Sequence, residues 1–224
     1  RKEGLDWAEL TEEERNRIID SCLDQVSADY GNTVLKSSAR NEYMLERTRR
    51  ILRRTVWALQ EQLKHGAFRP EGFEVRFQGG RIDRVDIMEE PENNRVYVID
   101  YKTGNTSFDL LALYHGLQLQ LMVYLDGALQ VEKRKYPDRE IVPAGVFYYN
   151  VKDPMIQEKI HADMESINEQ MLKKMKMNGL VQADDNMSTK IDSTMASIPV
   201  SLNRDGSFSK RSSVASRKQF DALG

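Results

Sequence analysis

The sequence contains few of the residues that form cross-links and metal clusters. Its 224 residues include a single cysteine, Cys22, and only three histidines. One cysteine cannot form a disulfide within the chain, and it cannot by itself hold a zinc ion or an iron–sulfur cluster. We therefore expect Cys22 to be a small residue on a helix.

The sequence also lacks long apolar runs and a large net charge. No run approaches the roughly 18 apolar residues of a membrane-spanning helix, and the Arg-Lys-Glu-Gly start lacks the apolar stretch of a signal peptide. The formal net charge of −2 neither indicates nor excludes nucleic-acid binding, because a basic groove can lie on a neutral protein. With 40% hydrophobic and 30% charged residues, a soluble, cytoplasmic, globular protein is expected.

The first part of the chain has helical periodicity, and strand-like segments follow. Apolar spacing predicts a helix over 5–30, with Thr11 and Glu14 at capping-box spacing, and a second helix over 38–64. The following segments read as strands that form a hairpin or meander. They cover 73–77, 81–88 and 95–101.

The remaining elements predict an α/β fold with a mixed sheet. Residues 108–131 read as one long helix, apolar on most of its circumference and packed against the sheet. A strand buried on both faces is expected over 142–151, and a helix over 156–177 that stops at Asn178-Gly179. We expect irregular structure with short strands over 180–224, including a turn at 203–206. The expected division is an N-terminal helical segment (1–67), a core (68–155) and a C-terminal extension of the same domain (156–224).

Two acids and a lysine stand where strands normally exclude charge. Asp100 ends an apolar strand, and Lys102 follows it on the same face because side chains alternate along a strand. If Asp83 lies on the adjoining antiparallel strand, its carboxylate meets that of Asp100. Two close carboxylates do not both stay ionised without a cation between them. Oxygen ligands favour Mg²⁺ or Mn²⁺ over zinc.

A divalent ion at this position predicts phosphodiester hydrolysis. The ion would polarise a phosphoryl oxygen and lower the pKa of a bound water, while Lys102 would orient or deprotonate that water. An isolated Asp-x-Lys at a strand end is also a common structural feature, so the pattern alone leaves both interpretations open.

Three ordered motifs give the sequence a family resemblance. They are Gly80-Arg-Ile-Asp-Arg-Val-Asp86, Asp100-Tyr-Lys-Thr-Gly104 and Gln120-Leu-Met-Val-Tyr124. Together they resemble the RecB-type branch of the PD-(D/E)XK nuclease superfamily. With the segments 116–126 and 143–154, the resemblance narrows to the nuclease domains of AddB-type subunits of bacterial AddAB helicase-nucleases.

The resemblance implies a restriction-endonuclease-like core and a role for each motif residue. Asp83 and Asp100 would be metal-binding carboxylates, and the backbone carbonyl of Tyr101 would be a further ligand. Lys102 would be the catalytic lysine. Gln120 and Tyr124, one helical turn apart, would position the DNA strand and active-site groups, although Tyr124 by itself also fits a packing role.

For the whole protein, the resemblance implies a Mg²⁺-dependent DNA exonuclease that acts with a helicase partner subunit resembling AddA in double-strand break repair and recombination. A silent nuclease fold that serves as a DNA-binding or docking scaffold, and a stand-alone nuclease, are the alternatives. The family also carries an upstream metal ligand and a four-cysteine 4Fe–4S cluster. Neither is identifiable in this chain, which starts without methionine. We therefore expect a fragment that cleaves DNA slowly or not at all.

Further charged residues have structural alternatives. Asp86 is expected to pair with Arg84 or another neighbour, and Glu74 is an outer candidate for the metal site. The histidines at 65, 115 and 161 are expected at the surface or in packing, with His115 the one that could approach the site. A basic cluster on the second helix could follow DNA phosphates, or form a solvated or docking face. It consists of Arg47, Arg49, Arg50, Arg53 and Arg54.

Overall fold

Two helices lead into the sheet. The structure, a computed structural model, describes residues 6–29, 38–156, 163–184 and 186–223. Helix α1 (Glu12–Asp29) begins with the predicted capping box: the Glu14 amide donates to Thr11 Oγ1 at 3.3 Å, and the Thr11 amide donates to the Glu14 carboxylate at 2.9 Å. Helix α2 (Ala39–His65) begins after Ser38, whose side chain accepts a hydrogen bond from the Asn41 amide.

A mixed six-stranded sheet follows, in agreement with the predicted fold class. The first three strands form the predicted antiparallel meander. The fourth strand is parallel to the third, the fifth antiparallel to the fourth, and the sixth parallel to the fifth. Strand order in the sheet equals strand order in the chain. The strands are β1 (Arg69–Phe77), β2 (Gly80–Glu89), β3 (Asn93–Lys102), β4 (Glu140–Asn150), β5 (Asn178–Gln182) and β6 (Val214–Ala215).

Helices cover both faces of this sheet. Leu59 of α2 packs with Tyr97 and Phe147 on one face, which we call the α2 face. On the opposite face, which we call the α4 face, helix α4 (Gln120–Lys135) packs Leu121 and Leu125 against the sheet. Because both faces are covered, β4 is buried continuously from 142 to 149, as its apolar sequence predicts.

The predicted continuous helix over 108–131 is wrong. The chain forms a short helix α3 (Leu110–Tyr114), a turn, and then α4. Gly116 lies at φ +74°, a left-handed conformation that interrupts the helix. Leu117, Leu119 and Val123 are consequently exposed instead of packing on the sheet.

The C-terminal part is more ordered than expected. Helix α5 (Met164–Lys174) ends before residue 177, and Asn178-Gly179 begins β5 instead of stopping a helix, because β4 supplies the hydrogen-bonding partner. The predicted turn at 203–206 is confirmed, since the Asn203 amide donates to the Ser207 carbonyl at 2.8 Å. Two short helices were not predicted: α6 (Met187–Ile191) and α7 (Arg217–Leu223).

Candidate active site

The antiparallel register of β2 and β3 brings Asp83 next to Asp100. Arg84 pairs with Ile99, so the next pair toward the strand end is Asp83 with Asp100, and opposed residues of an antiparallel pair share a face. The carboxylate of Asp83 also accepts a hydrogen bond from the Tyr101 amide at 2.8 Å. This bond ties the first acid to the backbone that carries the second.

Asp100 is a buried carboxylate with an incompletely satisfied oxygen. The residue is 3% exposed, and Lys102 Nζ lies 2.6 Å from its Oδ2. Among the described residues, Oδ2 accepts no hydrogen bond of normal geometry, so the contact is an ion pair at an unfavourable angle. Burial raises the pKa of Asp100, the close ammonium group of Lys102 opposes that shift, and the charge of Asp83 adds to it.

Lys102 is held between the acids and helix α4. Its Nζ donates to Gln120 Oε1 at 2.9 Å, and Gln120 Nε2 donates to the Tyr124 hydroxyl at 2.9 Å. The same ammonium lies 5.4 Å from the ring centre of Tyr148, within cation–π range. Burial by itself would lower the pKa of Lys102, but Asp100 outweighs it and raises the pKa, so the lysine is protonated.

Gln120 reaches Lys102 from the first turn of α4. Residues 120 and 124 lie one turn apart at the N-terminal end of this helix, and Gln120 contacts the end of β3. The structure thus brings together the five residues predicted to be catalytic: Asp83, Asp100, Lys102, Gln120 and Tyr124.

The donor set of this site fits a hard divalent cation. Asp83 and Asp100 supply carboxylate oxygens. The buried Asp100 Oδ2 has no well-formed hydrogen bond among the described residues, and a bound cation would satisfy this oxygen. No cluster of three or more Asp, Glu, His or Cys side chains suited to a metal occurs within the described ranges. The remaining ligands would therefore be backbone carbonyls and water.

Asp86 lies on the α2 face, away from the site, and pairs with Arg84 as expected. Arg84 donates to the two carboxylate oxygens at 2.6 and 2.5 Å, and the Tyr97 hydroxyl donates at 2.6 Å. Gln62 Nε2 in turn donates to Tyr97 Oη at 2.9 Å. This buried network links α2 to the strands that carry the acids.

Other candidates lie elsewhere. The Glu74 carboxylate is 2.5 Å from Arg81 Nε in an exposed ion pair, so the structure gives no support to an outer role at the metal site. His115 is exposed and stacks edge-on with Tyr114, while His65 ends α2. His161 lies outside the described residues.

The arginine cluster of α2 docks other segments of the chain. Arg49 and Arg53 contact Asp20 of α1, while Arg50 and Arg54 contact Asp153 after β4. The hydrogen bond from Arg53 lowers the pKa of Asp20 despite partial burial, and Arg49 adds to that effect. Four of these arginines therefore form an internal docking face; Arg47 is exposed.

Sequence reasoning did not single out Asn150, which lies close to the candidate site. Asn150, at the end of β4 and in register with Lys102, exchanges two hydrogen bonds with the Thr106 backbone at 3.1 and 2.8 Å. A polar residue at the end of an apolar strand is the signal that would have marked it. Cys22 is exposed on α1 and is the single cysteine of the sequence, so the residues of this chain do not by themselves fit a four-cysteine cluster.

Comparison with known proteins identifies the family. Curated relatives named as the B-type subunits of an ATP-dependent helicase/deoxyribonuclease occur in Lachnoclostridium phytofermentans, Alkaliphilus oremlandii and Alkaliphilus metalliredigens, at 41%, 34% and 36% identity over 98%, 99% and 99% of this chain. The chain spans 20%, 21% and 21% of those relatives. No helix in the described ranges is long and apolar enough to cross a membrane. A family model matches residues 3–220, and the chain belongs to the PD-(D/E)XK nuclease superfamily.

Proposed function

We propose that this chain is the metal-dependent deoxyribonuclease domain of a B-type helicase-nuclease protein. The observation that carries the proposal is the pairing of a buried carboxylate, Asp100, with a protonated Lys102 and a second carboxylate, Asp83, at one strand end. Retaining a buried acid with a raised pKa costs stability, and such groups concentrate at functional sites. The names of the relatives support the same activity.

Asp83, Asp100 and the Tyr101 carbonyl would hold the metal ion. Nucleases of this superfamily typically use a divalent metal ion, and the oxygen donors favour Mg²⁺ or Mn²⁺. When bound, such an ion lowers the pKa of a water and polarises the scissile phosphate.

Lys102 acts on the phosphate as a positioned cation. Its raised pKa keeps it protonated, so it donates hydrogen bonds to phosphoryl oxygens and stabilises their developing charge. Gln120 accepts a hydrogen bond from this ammonium and donates one to the Tyr124 hydroxyl, so the ammonium is held in one position before DNA binds.

For the whole protein, we propose exonuclease action on DNA unwound by a helicase partner subunit, as in double-strand break repair and recombination. The names of the relatives describe ATP-dependent helicase/deoxyribonuclease subunits, which supports a second subunit and a DNA substrate. This chain spans about a fifth of the length of those relatives, and we assign it only the nuclease step of the combined reaction.

The proposal is tested by comparing three variants of the complete protein on linear DNA with Mg²⁺. We expect Asp100→Asn and Lys102→Ala to lower the cleavage rate at least about 100-fold, since each removes a charge that acts on the transition state. DNA binding should be retained. Asp126→Asn is the matched control, because Asp126 is an exposed acid on α4.

Full cleavage by either site variant would refute the assignment. If the unmodified protein binds DNA but shows no metal-dependent cleavage, the chain is instead a silent scaffold.

A further inference from the structure

An open, positively charged groove lies beside the candidate active site. It has a cavity volume of about 650 Å³, and the side chains that line it include no Asp or Glu among the described residues. The chain as a whole has more acidic than basic residues, 35 against 33, so the charge of this groove is opposite in sign to the net charge of the chain. Its cations are Lys152, Lys173, Lys174, Lys176 and Arg211.

The groove begins where the strand of the catalytic lysine ends. Asn105, Thr106 and Ser107, which follow Lys102 in the chain, form part of its wall, and so does Asn150. Because Asn150 pairs in register with Lys102 and holds Thr106 by two hydrogen bonds, the wall is fixed relative to the site.

Three lysines of the groove contact an exposed acid or a backbone carbonyl. Lys173 forms an ion pair with Glu169 at 2.6 Å, but both side chains are more than 60% exposed, so that pair is weak. Lys174 donates to the Met155 carbonyl, and Lys176 donates to the Val200 carbonyl at 3.4 Å. These carbonyl contacts place the two ammonium groups without neutralising their charge.

We propose that this groove binds the sugar-phosphate backbone of single-stranded DNA that extends from the scissile bond. The inference rests on the proposed nuclease function and adds the path of the substrate. An open groove lined by lysines and an arginine is suited to follow the phosphates of a flexible single strand, and the proposed action on unwound DNA makes a single strand its occupant. Backbone amides, hydroxyls and lysines are groups that contact phosphates without reading sequence.

The test uses the full-length protein, with EDTA present so that no metal-dependent cleavage occurs. The probe is a 20-nucleotide oligo(dT), and a blunt duplex of equal length serves for comparison. Lys173→Gln with Arg211→Gln removes two exposed groove charges. Arg134→Gln with Lys218→Gln is the matched control, because it removes the same charge from exposed positions near the opposite end of β4.

For single strands, each phosphate contact contributes about 0.7 to the slope of log affinity against log salt. The groove variant should therefore have a slope smaller by about 1.4, and an affinity about 25-fold lower at 0.1 M salt if binding at 1 M salt is unchanged. The control should keep the slope of the unmodified protein. Acetylation by an amine-reactive reagent, read by mass spectrometry, should show Lys173 protected by oligo(dT) and Lys218 unprotected.

Equal slopes for the groove and control variants, or no protection of Lys173, would overturn the proposal. A larger effect on duplex than on oligo(dT) would also overturn it, as would loss of a partner subunit from the groove variant on gel filtration, which would identify a protein-binding surface. Asp100→Asn separates the two hypotheses. If it cleaves DNA at the full rate, the assignment of the active-site residues fails, whereas the groove measurement in EDTA is independent of cleavage.

Discussion

Replacing Asp86 by asparagine should destabilise the protein more than any single loss of a hydrogen bond. The side chains of Arg84 and Asp86 are 3% and 0% exposed, and three donors converge on the carboxylate. Burial alone would lower the pKa of Arg84, and the charge of Asp86 raises it. The arginine keeps its charge when this partner is lost, because a guanidinium group does not lose its proton in proteins. An asparagine at this position would leave that charge uncompensated and direct an NH₂ group at other donors.

Removing one partner of a buried ion pair costs about 3–5 kcal/mol. Since a domain has a free energy of unfolding of about 5–15 kcal/mol, the change would remove a large part of it. Two comparisons isolate the cause. Tyr97→Phe removes one of the three donors and should cost about 1 kcal/mol. The double change Arg84→Met with Asp86→Leu removes both charges and should cost less than Asp86→Asn alone.

The assay is urea unfolding followed by circular dichroism, because urea, unlike guanidinium, does not screen charges. Because Arg84 stays ionised, the loss should be the same at pH 6 and pH 9. An Asp86→Asn variant within 1 kcal/mol of the unmodified protein would refute the reasoning, as would a double variant that is less stable than the single one.

Two further predictions concern the site and the docking of α1. Gln120→Ala should lower the single-turnover cleavage rate about tenfold because it removes the hydrogen bond that holds the Lys102 ammonium. Tyr124→Phe should have a smaller effect, since the Tyr124 hydroxyl is hydrogen-bonded to Gln120 and not to Lys102; a larger effect of Tyr124→Phe would contradict this order. The folded-state pKa of Asp20 is lowered by Arg53, so its contribution to stability is present above the unfolded pKa of about 3.9 and is lost as pH falls through the folded value. The free energy of unfolding of Asp20→Asn should therefore be lower by about 0.5–1 kcal/mol at pH 7 and should equal that of the unmodified protein in acid. Urea midpoints that differ by the same amount at both pH values would show that the ion pair is not the cause.

Local patterns determined much of the fold. The Thr11–Glu14 capping box, the meander over the first strands and the double burial of β4 follow from spacing and alternation, which depend on near neighbours along the chain. The alternation that places Asp100 and Lys102 on one face is of the same kind. Pairing of Asp86 with Arg84 also followed, because the two residues share a face of one strand.

The elements that sequence reasoning misplaced depend on distant partners or on one backbone conformation. Gly116 interrupts the predicted helix through a left-handed φ, and the apolar residues around it gave no sign of the break. Asn178-Gly179 has the sequence of a helix stop, yet it forms a strand because β4 presents an unpaired edge to it.

Sequence reasoning alone singled out the residues that we propose carry the chemistry, since acids and a lysine within apolar strands are energetically costly and therefore conspicuous. How these residues interact depends on the tertiary structure. The distance from Lys102 to Asp100, the restraint of the lysine by Gln120 and the basic groove beside Asn150 join residues of β3, β4, α4 and α5, together with Arg211. Contacts between residues far apart in the chain are set by packing and strand register, which local periodicity does not encode.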